Sequence, residues 1–228
     1  MTDRRGLART RTYSEQAREV IRDLIFDGTY GPGQRLKESA ISHELGISRA
    51  PTREAIQTLA NEGLIEITPH RGAVVATFDA ERVGELYEVR EGLEVMAARL
   101  AAQKASEQQL SKLRELLNET ADVIEDDEAT PYPEDLNFHT HLFELAGNFK
   151  LRIIAEEIYA QLRLSMLRSG SAPGRAIEAH KEHSAVFAAV QRKDPEEAER
   201  AMRNHLRKGL ENMANILAKA EPPDGTIA

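Results

Sequence analysis

Between positions 45 and 55 the chain reads Leu45-Gly46-Ile47-Ser48-Arg49-Ala50-Pro51-Thr52-Arg53-Glu54-Ala55. Gly46 ends one helix. Ser48 is of the type that caps the next, and Pro51 falls in its first turn, where a missing N–H is tolerated. Ile56, Leu59 and Ala60 then carry the helical period to about Asn61. Arg49 and Arg53 are four apart, so they lie about 40° apart around the helix axis. Polar and apolar residues are separated along this helix more than around it: the first turn projects outward while the later turns pack. An arginine in that first turn can reach two acceptors on guanine or a phosphate oxygen.

The flanking segments fit the same layout. Upstream, Ala17, Val20, Ile21, Leu24 and Ile25 repeat at helical spacing from about Ser14 to Asp27, and Gly28 stops the helix. Tyr30-Gly31-Pro32-Gly33 is a turn, and a short helix follows from about Glu38 to Leu45. Downstream, Leu64–Thr68 and Ala73–Thr77 are β-prone runs joined by Pro69-His70-Arg71-Gly72, a hairpin with a four-residue turn. Three helices and a hairpin in under 80 residues describe a winged helix-turn-helix. In that motif the second motif helix enters the major groove, the His70-Arg71-Gly72 tip touches sugar-phosphate, and Gly72 permits close backbone approach.

Phe78-Asp79 closes this head, over 13–78. The remainder reads as helices only: Ala80–Lys104, Glu107–Asp126, Pro133–Ala146, Lys150–Arg168, Arg175–Val190 and Pro195–Ala220. Capping boxes mark two of the starts, Ser106 with Gln109 and Asp194 with Glu197. Glu125–Pro133 and Gly170–Gly174 read as loops and 221–228 as a disordered tail. The chain is therefore expected to be mostly α, with the helical body spanning 79–220.

Of 228 residues, 41% are hydrophobic and 30% charged, enough for a sizeable core. No apolar run approaches the roughly 18 residues of a membrane span, and the basic start has no apolar segment behind it. With no cysteine, thiolate metal sites, disulfides and cysteine nucleophiles are excluded. A cytoplasmic protein with no membrane partner is the expectation. The net charge of -8 is uneven: residues 1–78 carry a net +1 and the rest -9. The first eleven carry +3, so 1–12 reads as a basic flexible arm.

Asp135 and His139 are at i and i+4 and project from one helix face. Oxygen and imidazole ligands suit Zn²⁺, Ni²⁺, Mn²⁺ or Fe²⁺. Spacing alone favours a hydrogen-bonded helix pair over a metal site. His141 lies about 200° from His139 and cannot join the same ion. His183 and His205 sit on two later helices.

Residues 13–77 resemble the winged-helix domain of the GntR family of bacterial transcription regulators. Gly31-Pro32-Gly33-Gln34-Arg35-Leu36-Lys37-Glu38 matches its PG-x-x-L-x-E turn, the 45–55 stretch its LGVSRTPVREA signature, and Leu59–Ile65 its L-x-x-EGL-[IV] run. The resemblance implies operator contacts from Ser48, Arg49 and Arg53, and a wing contact at Gly72. The candidate DNA-contacting set is Arg35, Ser48, Arg49, Thr52, Arg53, His70, Arg71 and Gly72. Ala50 stands where the family usually has Thr, and Ser39 where FadR-type members have an arginine, so the half-site is expected to differ.

Residues 80–219 are similar to the FCD effector domain of the family's FadR-type branch. Its metal-binding members carry D-x-x-x-H, here Asp135 and His139. They also carry E-H-x-x-[IV], here Glu182-His183, and R-x-H-[LI], here Arg203-Asn204-His205. The resemblance implies a divalent ion, zinc first, on Asp135, His139, His183 and His205. Tyr87–Glu94 is similar to the L-x-E-x-R-x-x-L-E start, and the domain resembles the six-helix form. Arg90 then either grips an effector carboxylate or forms a structural salt bridge with a neighbouring Glu; the two readings stand level.

The implied function is a homodimeric repressor on palindromic operator DNA, controlled by a small organic acid bound near the metal. One rival makes the metal itself the signal. Another is a metal enzyme: His180-Lys181-Glu182-His183 is one residue short of H-x-x-E-H, its histidines possible co-ligands and its Glu182 pointing elsewhere. No G-x-S-x-G, Walker or Rossmann signature appears, so a non-enzyme is expected.

Overall fold

The computed structural model describes residues 11–125, 135–167 and 174–219; the side chains of 125, 135–137 and 219 lie outside that description. The arm before Arg11, most of the Glu125–Pro133 and Gly170–Gly174 loops, and the tail fall outside the described residues. The chain divides into two compact units between Thr77 and Phe78.

The first unit holds helices α1 (Tyr13–Phe26), α2 (Glu38–Glu44) and α3 (Arg49–Asn61) and strands β1 (Arg35–Leu36), β2 (Ile65–Thr68) and β3 (Gly72–Val75). Thr12 starts α1 with a full capping box: its hydroxyl accepts from the Glu15 N–H and the Glu15 carboxylate accepts from the Thr12 N–H. Ile21, Ile25, Ile56, Leu59 and Leu64 are fully buried and form the core between α1, α3 and the sheet. Glu62, just past α3, receives hydrogen bonds from Arg18 (2.9 Å) and Arg22 (2.6 Å), clamping α1 to the end of α3.

The sheet order is β1-β3-β2, all antiparallel. Strand β1 is absent from the sequence reading; it exists because Arg35 pairs with Val74 and Leu36 with Ala73. Thr68 pairs with Gly72, so the wing turn is the three residues Pro69-His70-Arg71 rather than four. His70 takes φ 68 and Gly72 φ 76, both left-handed, which costs glycine little.

In the second unit α4 (Ala80–Lys104) runs through the centre and packs against α6 (Asp135–Ala146), α7 (Phe149–Met166), α8 (Arg175–Gln191) and α9 (Pro195–Lys219); α5 (Glu107–Glu125) packs on α8 and α6. Ala97, Ala98, Ala101 and Ala102 are buried and let neighbouring helices approach α4 closely. The Ser106/Gln109 box forms in both directions. At Asp194 only half forms: the Glu197 N–H donates to its carboxylate (3.0 Å), while the Glu197 side chain pairs with Arg200. No described helix is long and apolar enough to cross a membrane.

Candidate functional site

Packing α4, α6, α8 and α9 together brings one buried polar cluster into an otherwise apolar core. His139 on α6, His183 on α8 and His205 on α9 are all buried, and one ring nitrogen from each lies within 4.8 Å of the others. His205 Nε2 stands 3.2 Å from His183 Nε2 and 3.3 Å from His139 Nε2. Ligands about 2.0–2.1 Å from a common ion would be separated by about 3.0–3.4 Å, so the spacing fits a shared divalent cation.

The other ring nitrogens are held by carboxylates. His139 Nδ1 meets Glu94 on α4, and His205 Nδ1 is 2.8 Å from Glu182 Oε2 on α8. An Nδ1–H donated to a carboxylate leaves the Nε2 lone pair facing inward, which is how metal-binding imidazoles are oriented. Glu94 in turn accepts from Arg90 Nε. Glu182 accepts from Arg175 (2.9 Å) and lies 3.2 Å from Lys208 Nζ. Phe138 stacks flat on His183 at 4.1 Å.

Of the four predicted ligands, the structure brings three together. The Asp135 side chain lies outside the described residues. Neither His141 nor His180 belongs to the converging set. Glu182 does not point elsewhere, as its sequence position had suggested; it turns back to fix His205. Glu94 went unread as a site residue because a glutamate four after an arginine looks like an ordinary helix ion pair. Of the two readings of Arg90, the salt bridge with a neighbouring glutamate is the one the structure contains. Arg90 is 2% exposed and paired with Glu94, and its second terminal nitrogen sits 3.0 Å from His139 Nε2, against the histidine cluster.

Burial pushes the Glu94 carboxyl up, but the Arg90 guanidinium and His139 outweigh it and hold it at about 2. Burial likewise pushes Glu182 up, and His205, Arg175 and Lys208 bring it down to about 2. The unfolded chain, with ordinary carboxyls, binds more protons than the folded one between about pH 5 and pH 2. The Glu94 contribution is therefore complete above that window and lost as pH falls through it, on the order of 3 kcal/mol. In urea titrations of chelator-treated protein, stability is expected to fall from pH 6 to pH 3, and less steeply in Glu94→Gln. An equally steep fall in that variant would remove Glu94 as the cause.

In the first unit Ser48 sits at the N-cap of α3, but its hydroxyl makes no cap hydrogen bond. Ser48 is exposed. Arg49, Arg53, His70 and Arg71 are exposed as well. Arg49 has no ion pair among the described residues, whereas Arg53 is held by Glu38 through Nε and its second terminal nitrogen (2.9 Å). Arg35 lies beside Gly72: a Cβ built on that glycine would stand 3.8 Å from the guanidinium. Thr52 is withdrawn from the contact set, because it is fully buried and its hydroxyl donates to the Ser48 carbonyl (3.2 Å).

A winged helix-turn-helix with arginines at the start of its second motif helix, followed by a helical unit with a buried histidine centre, is the architecture of a DNA-binding regulator with a separate helical domain. Residues 13–75 match the bacterial regulatory proteins of the gntR family and residues 85–208 the FCD domain. The chain is 30% identical over 220 residues to the HTH-type transcriptional repressor RspR of Escherichia coli, covering 95% of each. It is 28% identical over 211 residues to the uncharacterized HTH-type transcriptional regulator YdhC of Bacillus subtilis, covering 92% of this chain and 94% of that one. The fold matches the solved structure of E. coli McbR/YncC with a TM-score of 0.72 at 21% identity, over 90% of this chain and 99% of the other. The chain belongs to the gntR family of bacterial transcription regulators, in its FadR-type architecture with a C-terminal FCD domain. That family is one of regulators, not enzymes.

Proposed function

We propose that this regulator is a cytoplasmic homodimeric repressor that binds palindromic operator DNA and is controlled by a small organic acid docking beside a divalent metal in the FCD domain. The convergence of three imidazole Nε2 atoms, with a buried arginine against them, carries the reading. His139, His183 and His205 would hold the ion, with Asp135 as a fourth ligand on the family pattern. Zinc is the first choice for such a set, and nickel, manganese and iron are alternatives. The ion would supply a docking point for a carboxylate oxygen. Arg90, oriented by Glu94, is the cation placed to bind the same group. An effector acts only if it binds the DNA-competent and incompetent states unequally. On the DNA side, Ser48, Arg49 and Arg53 would read or position on the operator, and Arg35, His70, Arg71 and Gly72 would meet the backbone at the wing.

The test is thermal unfolding against a panel of small carboxylates, with and without a stripping chelator. Ligand at 100 times its Kd stabilises the native state by about 2.7 kcal/mol. A shift with one acid that needs the metal supports the reading. A large loss on chelation with no shift from any acid makes the ion structural or itself the signal.

A further inference from the structure

Arg90 and the histidine cluster make claims on one atom. His139 Nδ1 meets the Glu94 carboxylate, which only accepts, so that ring nitrogen carries the proton and Nε2 keeps one lone pair. The second terminal nitrogen of Arg90 stands 3.0 Å from that Nε2. A guanidinium keeps its protons and has no acceptor, so the contact is a hydrogen bond donated into the lone pair. The same lone pair is what His139 would offer an ion. One pair of electrons cannot serve both.

The rest of the guanidinium is held independently of His139. Its Nε donates to Glu94, and its carbon lies 5.2 Å from the Tyr87 ring centroid and 5.7 Å from that of Tyr159. A turn about the Glu94 bond would take the terminal nitrogen off His139 without releasing the side chain. Beside it lies a cavity of about 120 Å³, lined by Arg90 and Glu94 with Leu93, Phe143, Ile158 and Tyr159. Apart from Arg90 and Glu94 themselves, the only polar side-chain group among these is the Tyr159 hydroxyl, so a guanidinium N–H turned that way would need a bound anion to satisfy it.

We infer that Arg90 is a built-in competitor of the metal, which must surrender the His139 lone pair before an ion can load. The inference rests on the metal-and-acid reading above and adds how loading makes Arg90 available to an acid. A buried cation against the centre also opposes a second cation there, so Arg90 lowers the affinity for the ion it makes way for. Zinc affinity of the full-length chain, read by competition with a chromophoric chelator and with no acid present, tests this. Arg90→Gln is expected to bind zinc at least about tenfold tighter than wild type. A side chain that merely orients His139 gives the opposite sign, since loss of such outer partners costs about 10–100-fold in metal affinity. The same change is made in the Glu94→Gln background, where no buried carboxylate is left without its counter-charge, and the gain over Glu94→Gln alone is expected there too. Weaker or unchanged zinc binding in that background overturns the competition and leaves the metal centre standing. A wild-type chain and variants that all fail to take up zinc overturn the centre and this inference with it.

Discussion

His205→Ala is expected to empty the proposed metal centre. His205 Nε2 is the hub of the cluster, within 3.3 Å of both other imidazoles. Structural zinc in four-ligand sites contributes about 10–16 kcal/mol, so one ligand accounts for about 3–4 kcal/mol, or about 10²–10³ in affinity. The substitution also takes the His205 hydrogen bond from Glu182, a buried carboxylate. Loss of packing at a fully buried site adds to this, so the variant is expected to unfold at lower denaturant even when both proteins are stripped of metal. Metal content per chain after dialysis, followed by a competitive chelator titration, checks it. Full loading with unchanged affinity would take His205 off the ligand set.

Arg49→Ala is expected to flatten discrimination between operator and random DNA. A good bidentate arginine–guanine contact is worth about 1–3 kcal/mol, and the proposed homodimer would make it twice. The expected loss is therefore about 2–6 kcal/mol, or roughly 30-fold to 10⁴-fold in specific affinity, with non-specific binding changed far less. Arg71→Ala should behave in the opposite manner. At the exposed wing tip it would lose a phosphate contact, weakening all sequences alike and reducing the salt slope by about one per protomer. Binding isotherms at several salt concentrations, on operator and scrambled duplexes, separate the two. If Arg49→Ala keeps its discrimination, sequence is read elsewhere.

Helix order and the wing were legible in the sequence because each has a local signature, a 3.6-residue period or a capping serine or aspartate; the three histidines that converge were singled out only by the family resemblance, since spacing alone favoured a hydrogen-bonded pair. What escaped is non-local. Strand β1 is two residues long and has no period; only its partners 37 and 39 positions later make it a strand. Glu94 and Glu182 sit on helices rich in charge, where a carboxylate reads as solvated until packing buries it beside a histidine. Thr52 shows the converse. A polar residue in the first turn of a reading helix looks available for DNA, yet that position rotates into the core.

Arg90 and Glu94 lie about 160° around α4 from the exposed Gly92, so the buried centre engages one side of this rod while the opposite side is exposed. Its 25 residues make it about 37 Å long, and it begins three residues after the DNA-reading unit ends. A tilt of about 5° displaces the end of such a rod by about 3 Å. Under the proposed ligand control, a change in how the centre grips one side of α4 would be geared into a larger excursion at the end of that helix, with no relay of intervening side chains.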